Sequence, residues 1–556
     1  MQWESGSVRP VGERKNIYPF AAVGLAAFLA YLATLSANYL GDGVQFAAAT
    51  ESADVSLMPN HMLYNASIFG WYRVWKLLGW TGNAILPLQV FSAFWGALSV
   101  ALFWLLIMRI TGAPKVTGLV TFGFGTCFAV WLFSTDVEVV TFPLALSVLL
   151  LVVAITSSDS WFGRPFNAAV TGLLTSVSIL SYQTGVFMVP AVGLAYVLRD
   201  LGASASKRRL IAVYLITVLV VVSGCCLWVA RAAYHVSTLK GFIHWQFFLK
   251  ESGLWGGFTG LSIPTGMFGF VRTISSFPGL SYIAGIRTFF MFAPLWQKAL
   301  LVCYYAVLSA MGVYVSLKLF VRWRTLFGRY RLPLALFAVS GLLYAAFALY
   351  WIPADIQFWV PVVASWWGAI GLLLAFYSEE GRRNGRSRIV SSGPGAAAVA
   401  LICIMSFVNF FGTILPNTNI GNNIEYNVAA GLKDMAKKND LIITSGADRL
   451  ALYIPYFFHK NVLSIFLLGM QGGSGEGLLS EIDRRINDAV SAGNDVYFVG
   501  MKPGRFVLWK EMNRLGVDQS FVERYDATVC ARVCGEEILK LKPWEPKGMI
   551  GSNSSR

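Results

Sequence analysis

Acidic and imidazole groups are concentrated in the segment 38–64, which directly follows the first long apolar stretch. The chain has only 29 acidic residues and 4 histidines among its 556 residues, so this concentration stands out. The groups are Asp42, Glu51, Asp54 and His61. A carboxylate can act as a general base that removes the proton from a hydroxyl nucleophile. Because Gly41 and Gly43 let the backbone turn closely around Asp42, this residue is the candidate catalytic base; the alternative is a loop carboxylate solvated at the membrane surface.

Polar residues also interrupt three apolar stretches further along the chain. They are Asp136, Glu138, Gln183, Asp355 and Gln357. Carboxylates at the end of a membrane span are costly in hydrocarbon, so they must face water, a cation or each other. The aromatic residues Trp351, Phe358 and Trp359, which enclose Asp355 and Gln357, suit the faces and hydroxyls of a sugar. We predict that these polar groups contact a substrate; solvated turns and an aromatic belt at the membrane surface are the alternatives.

Basic and aromatic residues share the stretch 231–290. Its segment FIHWQFFLKESGLWGGF has an amphipathic pattern, typical of a helix that lies at the membrane surface with Trp and Lys at headgroup level. The other interpretation is a cover over a site for a lipid phosphate. In that case we expect Arg231 or Arg272 to bind the phosphate, because guanidinium groups make charge-assisted hydrogen bonds to it.

The composition indicates which elements must position these residues. The chain is 56% hydrophobic and 13% charged, with 40 Phe, 22 Tyr and 19 Trp. Since one aqueous core cannot bury so much apolar surface, the bilayer must serve as solvent. The formal charge of +15 comes from short clusters of Lys and Arg between apolar runs. This pattern is typical of membrane orientation signals, and it excludes nucleic acid as a partner.

Apolar segments of roughly 17 to 25 residues recur along the first three quarters of the chain and predict about 11 membrane spans. We place these spans at 17–37, 84–108, 116–133, 139–156, 168–181, 186–198, 210–230, 291–320, 332–351, 358–377 and 394–414. The fifth and sixth segments are short, so we expect them to be tilted or partly re-entrant. The first apolar run is too long for a signal-peptide core and predicts an uncleaved span.

The connections between these segments differ in charge. Clusters of Lys and Arg, for example in 199–209, 318–331 and 382–388, all fall on one side of the predicted bundle. The positive-inside rule assigns that side to the cytoplasm. An odd number of spans then places the C-terminal part outside, together with the loops that carry the candidate residues. We predict a multi-pass protein of the cell's inner or plasma membrane with a cytoplasmic N-terminus.

Residues 417–556 follow a different pattern from the membrane domain of residues 1–416. Helix-like segments such as EGLLSEIDRRINDAVSAG alternate with short strand-like segments such as DLIITSG, which predicts a small extracytoplasmic α/β domain. Cys530 and Cys534 lie in this domain, where an oxidising compartment permits a disulfide across a tight turn. Both the bridged and the free form remain open, and no Cys or His cluster in the sequence has zinc spacing.

Several motifs together resemble a known family. They are YLGDG, PNHMLYN, TDVEVVTFPLAL, SYQTG and YWIPADIQFWVP, in this order and on the same predicted side. Over roughly residues 17–414 the pattern resembles the GT-C superfamily of polyprenyl-phosphate-dependent glycosyltransferases, and within it the protein O-mannosyltransferase-like branch. The resemblance implies a polytopic α-helical bundle with two juxtamembrane helices in the first external loop, plus the outer α/β domain.

The resemblance also implies roles for single residues. Asp42 matches the acidic residue that serves as base or positions the acceptor, and Glu138 looks like the acid after the third span. His61 is similar to the polar residue that opens the second juxtamembrane helix. Many members carry a second acid close to the first, whereas the polar residue that follows Asp42 here is the amide Gln45. No cofactor is firmly implied, and use of a divalent metal stays open.

These features together predict an integral-membrane glycosyltransferase. It would move one sugar, with inversion, from a polyprenyl-phosphate carrier to an acceptor hydroxyl outside the cytoplasm. The acceptor is a protein, a lipid or a glycan, and membrane lipids are further partners. The alternatives are a transporter or lipid flippase and a member of the same fold that only binds glycan or lipid. The scarcity of ionisable residues in span centres and the lack of an evident inverted repeat argue against a transporter.

Overall fold

The structure is a computed structural model of the chain. It describes residues 17–54, 60–201, 206–251, 256–277, 293–383, 392–445, 449–470, 475–500, 516–517 and 519–541. These residues form two compact units. The first contains residues 17–36 and 46–418, and the second contains residues 37–45 and 419–541, each with the gaps just given. The segment 37–45, which carries Asp42, therefore packs with the C-terminal residues, although the sequence places it in the membrane domain.

The first unit is helical. Its helices, in chain order, are α1 (Ile17–Leu32), α2 (Gly41–Glu51, which begins in the second unit), α3 (Met62–Leu77), α4 (Ile85–Thr111), α5 (Pro114–Gly125), α6 (Phe128–Thr135), α7 (Thr141–Thr156), α8 (Asp159–Phe162), α9 (Pro165–Ser181), α10 (Met188–Leu198), α11 (Lys207–Ala232), α12 (Leu239–Glu251), α13 (Ser262–Ile274), α14 (Leu295–Val321), α15 (Trp323–Arg329), α16 (Arg331–Trp351), α17 (Val360–Arg383) and α18 (Gly393–Asn409). Short 3₁₀ helices at Gln183–Phe187 and Ile356–Trp359 precede α10 and α17, and a π-helical turn, Phe410–Ile414, follows α18.

The apolar helices coincide with the predicted spans. Within the described residues, 6 helices are long and apolar enough to cross a membrane, and the pair α5 and α6, bent by 62°, is a further candidate. Shorter apolar helices occupy the remaining predicted segments, including the fifth and sixth. The prediction of a polytopic α-helical membrane protein is confirmed. The number of helices that cross the bilayer stays a prediction.

The long helices differ in how deeply they are buried. In the most apolar 18-residue window of each helix, 72% of α4 is buried, as is 83% of the span Ile356–Arg383, which contains α17. The corresponding fractions are 22% for α11 and 17% for α14. A helix that is apolar all round must be surrounded by protein or lipid. We infer that α4 and α17 form the centre of the bundle and that the exposed apolar side chains of α11 and α14 contact lipid.

Small residues allow close packing in this centre. A Cβ atom added at Gly96 of α4 would lie 2.0 Å from the Ser134 Oγ of α6. A Cβ atom at Gly123 of α5 would lie 2.8 Å from the Trp367 ring of α17. Without an aqueous driving force between helices, such close backbone approach is a main source of helix association in a membrane.

Helices α2 and α3 confirm the two predicted helices in the first loop. The Glu51 Oε1 atom at the end of α2 accepts a hydrogen bond of 2.6 Å from the backbone N–H of Ala84. This N–H begins α4 and would otherwise lack a helical partner. The contact therefore ties the first loop to the start of the next predicted span and explains one of the acids in the segment 38–64.

The second unit contains a five-stranded sheet. Its strands are β1 (Leu441–Thr444), β2 (Asn461–Ser464), β3 (Val496–Val499), β4 (Ala527–Val533) and β5 (Glu536–Leu541). Their order is β2-β1-β3-β5-β4, with β1 parallel to β2 and β3, and β5 antiparallel to β3 and β4. The helices of this unit are α19 (Ile424–Gly431), α20 (Arg449–Phe458), α21 (Ile465–Met470) and α22 (Gly475–Ser491). The predicted α/β domain is confirmed.

The sheet has a continuous apolar core. All four residues of β1 and of β3 are buried, as expected for parallel strands that are covered on both faces. Ile482 and Ile486 of α22 pack in the same core cluster as Ile443 and Phe498. Their spacing of four residues places both side chains on one face of the helix.

The two outer cysteines are not bonded to each other in the structure. Cys530 lies on β4, and its Sγ donates a hydrogen bond of 3.3 Å to the carbonyl of Ile538. Cys534 lies in the turn to β5 with a φ of 52°. The free form is therefore the one that this structure contains.

Candidate functional site

Aromatic stacking joins three of the predicted site loops in the first unit. The His61 ring stacks on Tyr182, with centroids 5.2 Å apart and an interplanar angle of 23°. Tyr182 in turn stacks on Phe358, with centroids 6.4 Å apart and an interplanar angle of 16°. The edge of Phe46 meets the His61 ring at 6.0 Å. The structure thus brings together the start of α3, the connection from α9 to α10 and the turn before α17.

A short hydrogen-bond chain fixes the polar groups beside this stack. The Asn60 side-chain nitrogen lies 2.8 Å from the His61 Nε2. The backbone N–H of Gln183 donates to the carbonyl of Asn60 at 3.2 Å. Burial lowers the pKa of His61 to about 4, so the imidazole is neutral at physiological pH. A neutral imidazole can donate one hydrogen bond and accept another, but it brings no positive charge.

The turn before α17 is held by its own polar groups. The Asp355 Oδ1 accepts a hydrogen bond of 3.1 Å from the backbone N–H of Gln357 and so caps the 3₁₀ helix. The Trp359 indole N–H donates to the carbonyl of Pro353 at 2.8 Å. Asp355 and Gln357 are both partly accessible. Asp355 therefore has a structural role that the sequence pattern did not reveal.

Helix α13 packs closely on this turn and carries Arg272. A Cβ atom at Gly269 would lie 2.4 Å from the carbonyl oxygen of Pro353, so only glycine permits this approach. The Thr273 hydroxyl lies 3.4 Å from the carbonyl of Ile356. Arg272 is only 2% exposed, and its guanidinium carbon lies 5.6 Å from the centre of the Phe268 ring. The structure thus places the buried cation on the element next to Asp355 and Gln357.

A buried amide holds the end of α13 in place. The Asn409 Oδ1 accepts hydrogen bonds from the Ser275 hydroxyl at 2.7 Å and from the Ser276 N–H at 3.2 Å. The Asn409 Nδ2 donates to the carbonyls of Thr126 at 2.8 Å and Ile274 at 3.0 Å. Asn409 therefore connects the end of α13 to the break between α5 and α6 and to the π-helical turn after α18. Such π-helical turns often occur at functional sites.

Asp136 and Glu138 lie in the buried connection from α6 to α7. The Asp136 Oδ1 accepts from the N–H of Val137 at 2.7 Å, and the Glu138 Oε1 accepts from the N–H of Val139 at 3.1 Å. The side chain of Gln89 donates to the carbonyls of Ser36 and Thr135 and fixes the same connection. Both acids are less than 5% exposed, so the alternative of an open, solvated turn does not describe them.

Arg231 lies apart from these buried groups. Its side chain is exposed at the end of α11, where it lines an open surface groove with Leu227, Trp228 and Ala232. The combination of one cation with apolar and aromatic neighbours is typical of a residue at lipid-headgroup level. The two arginines predicted from the sequence are thus in different environments, one exposed and one buried.

The segment before Asp42 is anchored within the second unit. Arg449 of α20 donates to the Asn38 side chain and to the carbonyl of Tyr39, the latter at 3.2 Å. The same guanidinium pairs with Glu425 at 2.7 Å. The Tyr453 hydroxyl also donates to the carbonyl of Tyr39, which therefore accepts from two side chains. These contacts hold the backbone just before α2.

Further contacts complete this anchor. The Asn423 side chain donates to the carbonyl of Ala37 at 3.0 Å. The Tyr39 ring stacks on Phe457, with centroids 5.6 Å apart. Four side chains of the C-terminal region thus hold three residues of the first loop, Ala37, Asn38 and Tyr39. No local sequence pattern links Arg449, Tyr453 and Asn423 to this loop, which lies 386 to 414 residues earlier in the chain.

Asp42 lies in the first turn of α2, and its side chain is accessible to solvent. Desolvation by the surrounding protein nevertheless raises the pKa of its carboxyl group above the ordinary value. Among the residues that the structure describes, none donates a hydrogen bond to this carboxylate. An accessible carboxylate with a raised pKa is suited to accept a proton, because its basicity is increased.

The structure describes all nine predicted site residues. His61 and Gln183 share one hydrogen-bonded and stacked cluster, and Arg272 lies on the helix that packs against Asp355 and Gln357. No group of three or more His, Cys, Asp or Glu residues that could hold a metal ion occurs in the described part of the chain. Asn60 and Asn409 were missed. The only sequence signal for Asn409 was a lone amide near the end of the last apolar segment.

Comparison with solved structures identifies proteins that have a similar fold. No protein-family model and no curated protein matches the sequence. The structure is similar to ArnT from Cupriavidus metallidurans in the apo state, with 12% identity, a TM-score of 0.57 and coverage of 96% of this chain and 98% of that chain. It is also similar to the same ArnT bound to undecaprenyl phosphate, with 11% identity, a TM-score of 0.57 and coverage of 94% and 97%. The oligosaccharyltransferase of Archaeoglobus fulgidus with a tethered acceptor peptide is similar at 11% identity and a TM-score of 0.45, over 92% of this chain and 72% of that chain.

At 11–12% identity the two ArnT structures support an assignment of fold and not of activity. They extend over nearly the whole length of both chains, including the small sheet domain at the C-terminus. The protein O-mannosyltransferase-like branch stays a prediction. The chain is an integral membrane protein with the fold of the ArnT structures.

Proposed function

We propose that this protein is an integral-membrane glycosyltransferase that uses a polyprenyl-phosphate-linked sugar as donor. The transfer takes place on the extracytoplasmic face, with inversion, and the acceptor is a hydroxyl group. The observation that carries the proposal is Asp42, an accessible carboxylate with a raised pKa on an anchored turn of a GT-C fold. That the similar ArnT binds undecaprenyl phosphate supports the donor class.

The proposed step needs one base and one stabilised leaving group. Asp42 accepts the proton of the acceptor hydroxyl while the hydroxyl oxygen forms a bond to the anomeric carbon of the donor sugar. The bond from that carbon to the phosphate oxygen breaks, and the polyprenyl phosphate leaves with the electron pair. Attack from the face opposite to the phosphate inverts the configuration at the anomeric carbon.

The leaving phosphate gains negative charge and needs a cation or hydrogen-bond donors. We assign this role to Arg272, whose buried guanidinium acts in a medium of low dielectric constant. Arg231 lies at an exposed groove with a Trp and a Leu, which suits a contact with a lipid headgroup. His61, Gln183, Asp136, Glu138, Asp355 and Gln357 are the remaining proposed substrate-binding residues.

Two measurements test this function. Mass spectrometry of the glycans and glycolipids of cells with and without the gene identifies the sugar and the acceptor. Transfer by the purified protein is then compared between wild type and Asp42→Asn, which keeps the shape of the side chain but removes the base. We expect a loss of at least roughly a hundredfold in turnover with donor binding intact.

Glu138→Gln serves as the comparison, because a positioning role should cost less than removal of the base. If purified Asp42→Asn transfers sugar at the wild-type rate, Asp42 is not the base. If cells with and without the gene show no difference in glycosylation, and the purified protein transfers no sugar, the proposed enzymatic function is wrong. A non-catalytic binding role is then the better explanation.

A further inference from the structure

Two buried polar atoms beside the aromatic stack lack hydrogen-bond partners. Within the part of the chain that the structure describes, neither the Asn60 Oδ1 nor the His61 Nδ1 is hydrogen-bonded, although water does not reach either atom. Leaving a buried donor or acceptor unsatisfied is costly, so such atoms are uncommon in folded proteins and each one needs a physical explanation. Here two of them occur on consecutive residues.

The two atoms form a complementary pair. The Asn60 Nδ2 donates to the His61 Nε2, so the hydrogen of the neutral ring lies on Nδ1. The remaining atoms are therefore one donor, the Nδ1–H, and one acceptor, the Asn60 Oδ1. If the amide is reversed and the ring carries its hydrogen on Nε2, the two remaining atoms exchange roles and the pair is unchanged. Either way, the pair offers one donor and one acceptor.

This pair selects for a particular ligand chemistry. A hydroxyl group both donates and accepts a hydrogen bond, so it satisfies both atoms at once. A phosphate or carboxylate only accepts, and it would be repelled by the Asn60 oxygen. Because burial lowers the pKa of His61 to about 4, the ring provides no positive charge to compensate an anion.

The surroundings of the pair suit the same ligand. The Tyr182 ring lies parallel to the imidazole, and Phe358 continues the aromatic row. Flat aromatic surfaces next to a few polar groups are typical of sites that bind a ligand with both apolar and hydroxyl-bearing faces. A sugar ring has such faces, with C–H groups on one side and hydroxyls at the edge.

We propose that Asn60 and His61 form a subsite that binds a hydroxyl group of a neutral sugar. The hydroxyl belongs either to the sugar of the lipid-linked donor or to a glycan acceptor. This assignment rests on the proposed function only where it names the lipid that carries the sugar. The hydroxyl chemistry itself follows from the two unsatisfied atoms and the neutral ring.

The test compares ligands that differ only in the sugar. Binding to the full-length protein in nanodiscs is measured with undecaprenyl phosphate, with undecaprenyl-phosphate-linked mannose, glucose and galactose, and with the methyl glycosides of these sugars. The variants are His61→Phe, which keeps the aromatic ring but removes both nitrogens, and Asn60→Ala, which removes the amide. Ser67→Ala is the control, because the Ser67 hydroxyl donates to the carbonyl of Leu63 in its own helix.

We expect both variants to weaken binding of the preferred sugar-bearing ligand roughly tenfold, since a buried partner is left unsatisfied. Binding of sugar-free undecaprenyl phosphate should stay at the wild-type affinity, as should all binding by Ser67→Ala. An effect on the lipid-linked sugars alone identifies the donor as the source of the hydroxyl, and an effect on the methyl glycosides alone identifies a glycan acceptor.

Equal affinity of wild type and both variants for every sugar-bearing ligand would overturn the subsite. So would an equal loss for sugar-bearing and sugar-free lipid. If the protein binds methyl glycosides through His61 but neither binds a polyprenyl phosphate nor transfers a sugar, the subsite stands and the proposed function fails. Asn60→Ala keeps the test decisive if His61→Phe does not fold.

Discussion

For single residues, Asp42 and His61 show that desolvation shifts the pKa of an acid and the pKa of a base in opposite directions. Desolvation disfavours the charged form of both, so it raises the pKa of the carboxyl group and lowers the pKa of the imidazole. Asp42 becomes a stronger base, and His61 becomes a neutral donor and acceptor. These two opposite shifts assign proton transfer to Asp42 and neutral recognition to His61 in the proposed function.

The raised pKa of Asp42 predicts the pH dependence of the transfer. Asp42 must be deprotonated to act as base, so the rate should fall as the pH decreases through a value above the ordinary carboxyl range. The measurement is kcat/KM of the purified protein between about pH 4.5 and 8, a window that follows from typical carboxyl pKa values. Asp42→Glu should keep an acidic limb, and Asp42→Asn should lose it together with the activity. A limb that Asp42→Asn retains would assign the titration to another group.

The two arginines predict different contributions to donor binding. Arg272→Gln should weaken binding of polyprenyl-phosphate-linked sugar more than Arg231→Gln, because a buried charge interacts in a medium of lower dielectric constant. Affinity is measured at matched expression and thermal stability. Arg272→Lys keeps the charge and should retain part of the affinity. Wild-type affinity in both glutamine variants would exclude the two arginines as the phosphate site.

At the scale of elements, the C-terminal α/β domain holds the loop segment that carries the candidate base. Arg449 and Tyr453 of α20 both donate to the carbonyl of Tyr39, three residues before Asp42. The parallel strands β1 and β2 flank α20 in the chain. Side chains of this domain therefore hold residues 37–39 in place, although the domain lies at the other end of the chain.

This anchor predicts an effect of α20 on turnover. Arg449→Ala removes the hydrogen bonds to Asn38 and Tyr39 and leaves Glu425 without its partner in this pair. We expect a lower kcat with little change in the KM for the donor, and partial rescue by Arg449→Lys. Arg484→Ala is the matched control, because Arg484 forms exposed ion pairs within α22, which contribute little to stability. An unchanged kcat in Arg449→Ala would show that the anchor does not position the base.

The buried side-chain amide of Asn409 makes a second contact between elements. It joins the break between α5 and α6 to the end of α13. Asn409→Leu removes four hydrogen bonds and leaves the carbonyls of Thr126 and Ile274 and the N–H of Ser276 without this partner. We expect the free energy of unfolding to decrease by at least roughly 3 kcal/mol, which lowers the melting temperature in detergent. Ser406→Ala, which removes one hydrogen bond to the Thr126 side chain, should cost less. Equal melting temperatures would contradict a structural role of the amide.

At the scale of the whole molecule, the charge asymmetry of the connections predicts the orientation in the membrane. A single cysteine at Asn419, an exposed residue after the last apolar helix, should react with a membrane-impermeant thiol reagent added outside the cell. The background needs all seven native cysteines replaced, because Cys530 and Cys534 are exposed in the same unit. Labelling only after the cytoplasm is opened would reverse the orientation and place Asp42 on the cytoplasmic side.

The class of protein, the position of the apolar helices and the presence of a C-terminal α/β domain can be predicted from the amino-acid pattern alone. Hydropathy and strand or helix periodicity are local properties of the chain, so a window of roughly 20 residues contains the information. The acids and the histidine that interrupt this pattern could also be read from it, as could the resemblance to the GT-C superfamily.

The arrangement of these residues depends on how the helices and strands pack. The stack of His61, Tyr182 and Phe358 joins positions that are more than 100 residues apart, and the Asn409 amide joins Thr126 to Ser275. The contacts of Arg449 and Tyr453 with Tyr39 assign the segment before Asp42 to the C-terminal unit, against the sequence-based boundary. Such hydrogen bonds and ring contacts form between elements whose proximity depends on the packing of the complete chain, so no local pattern contains them.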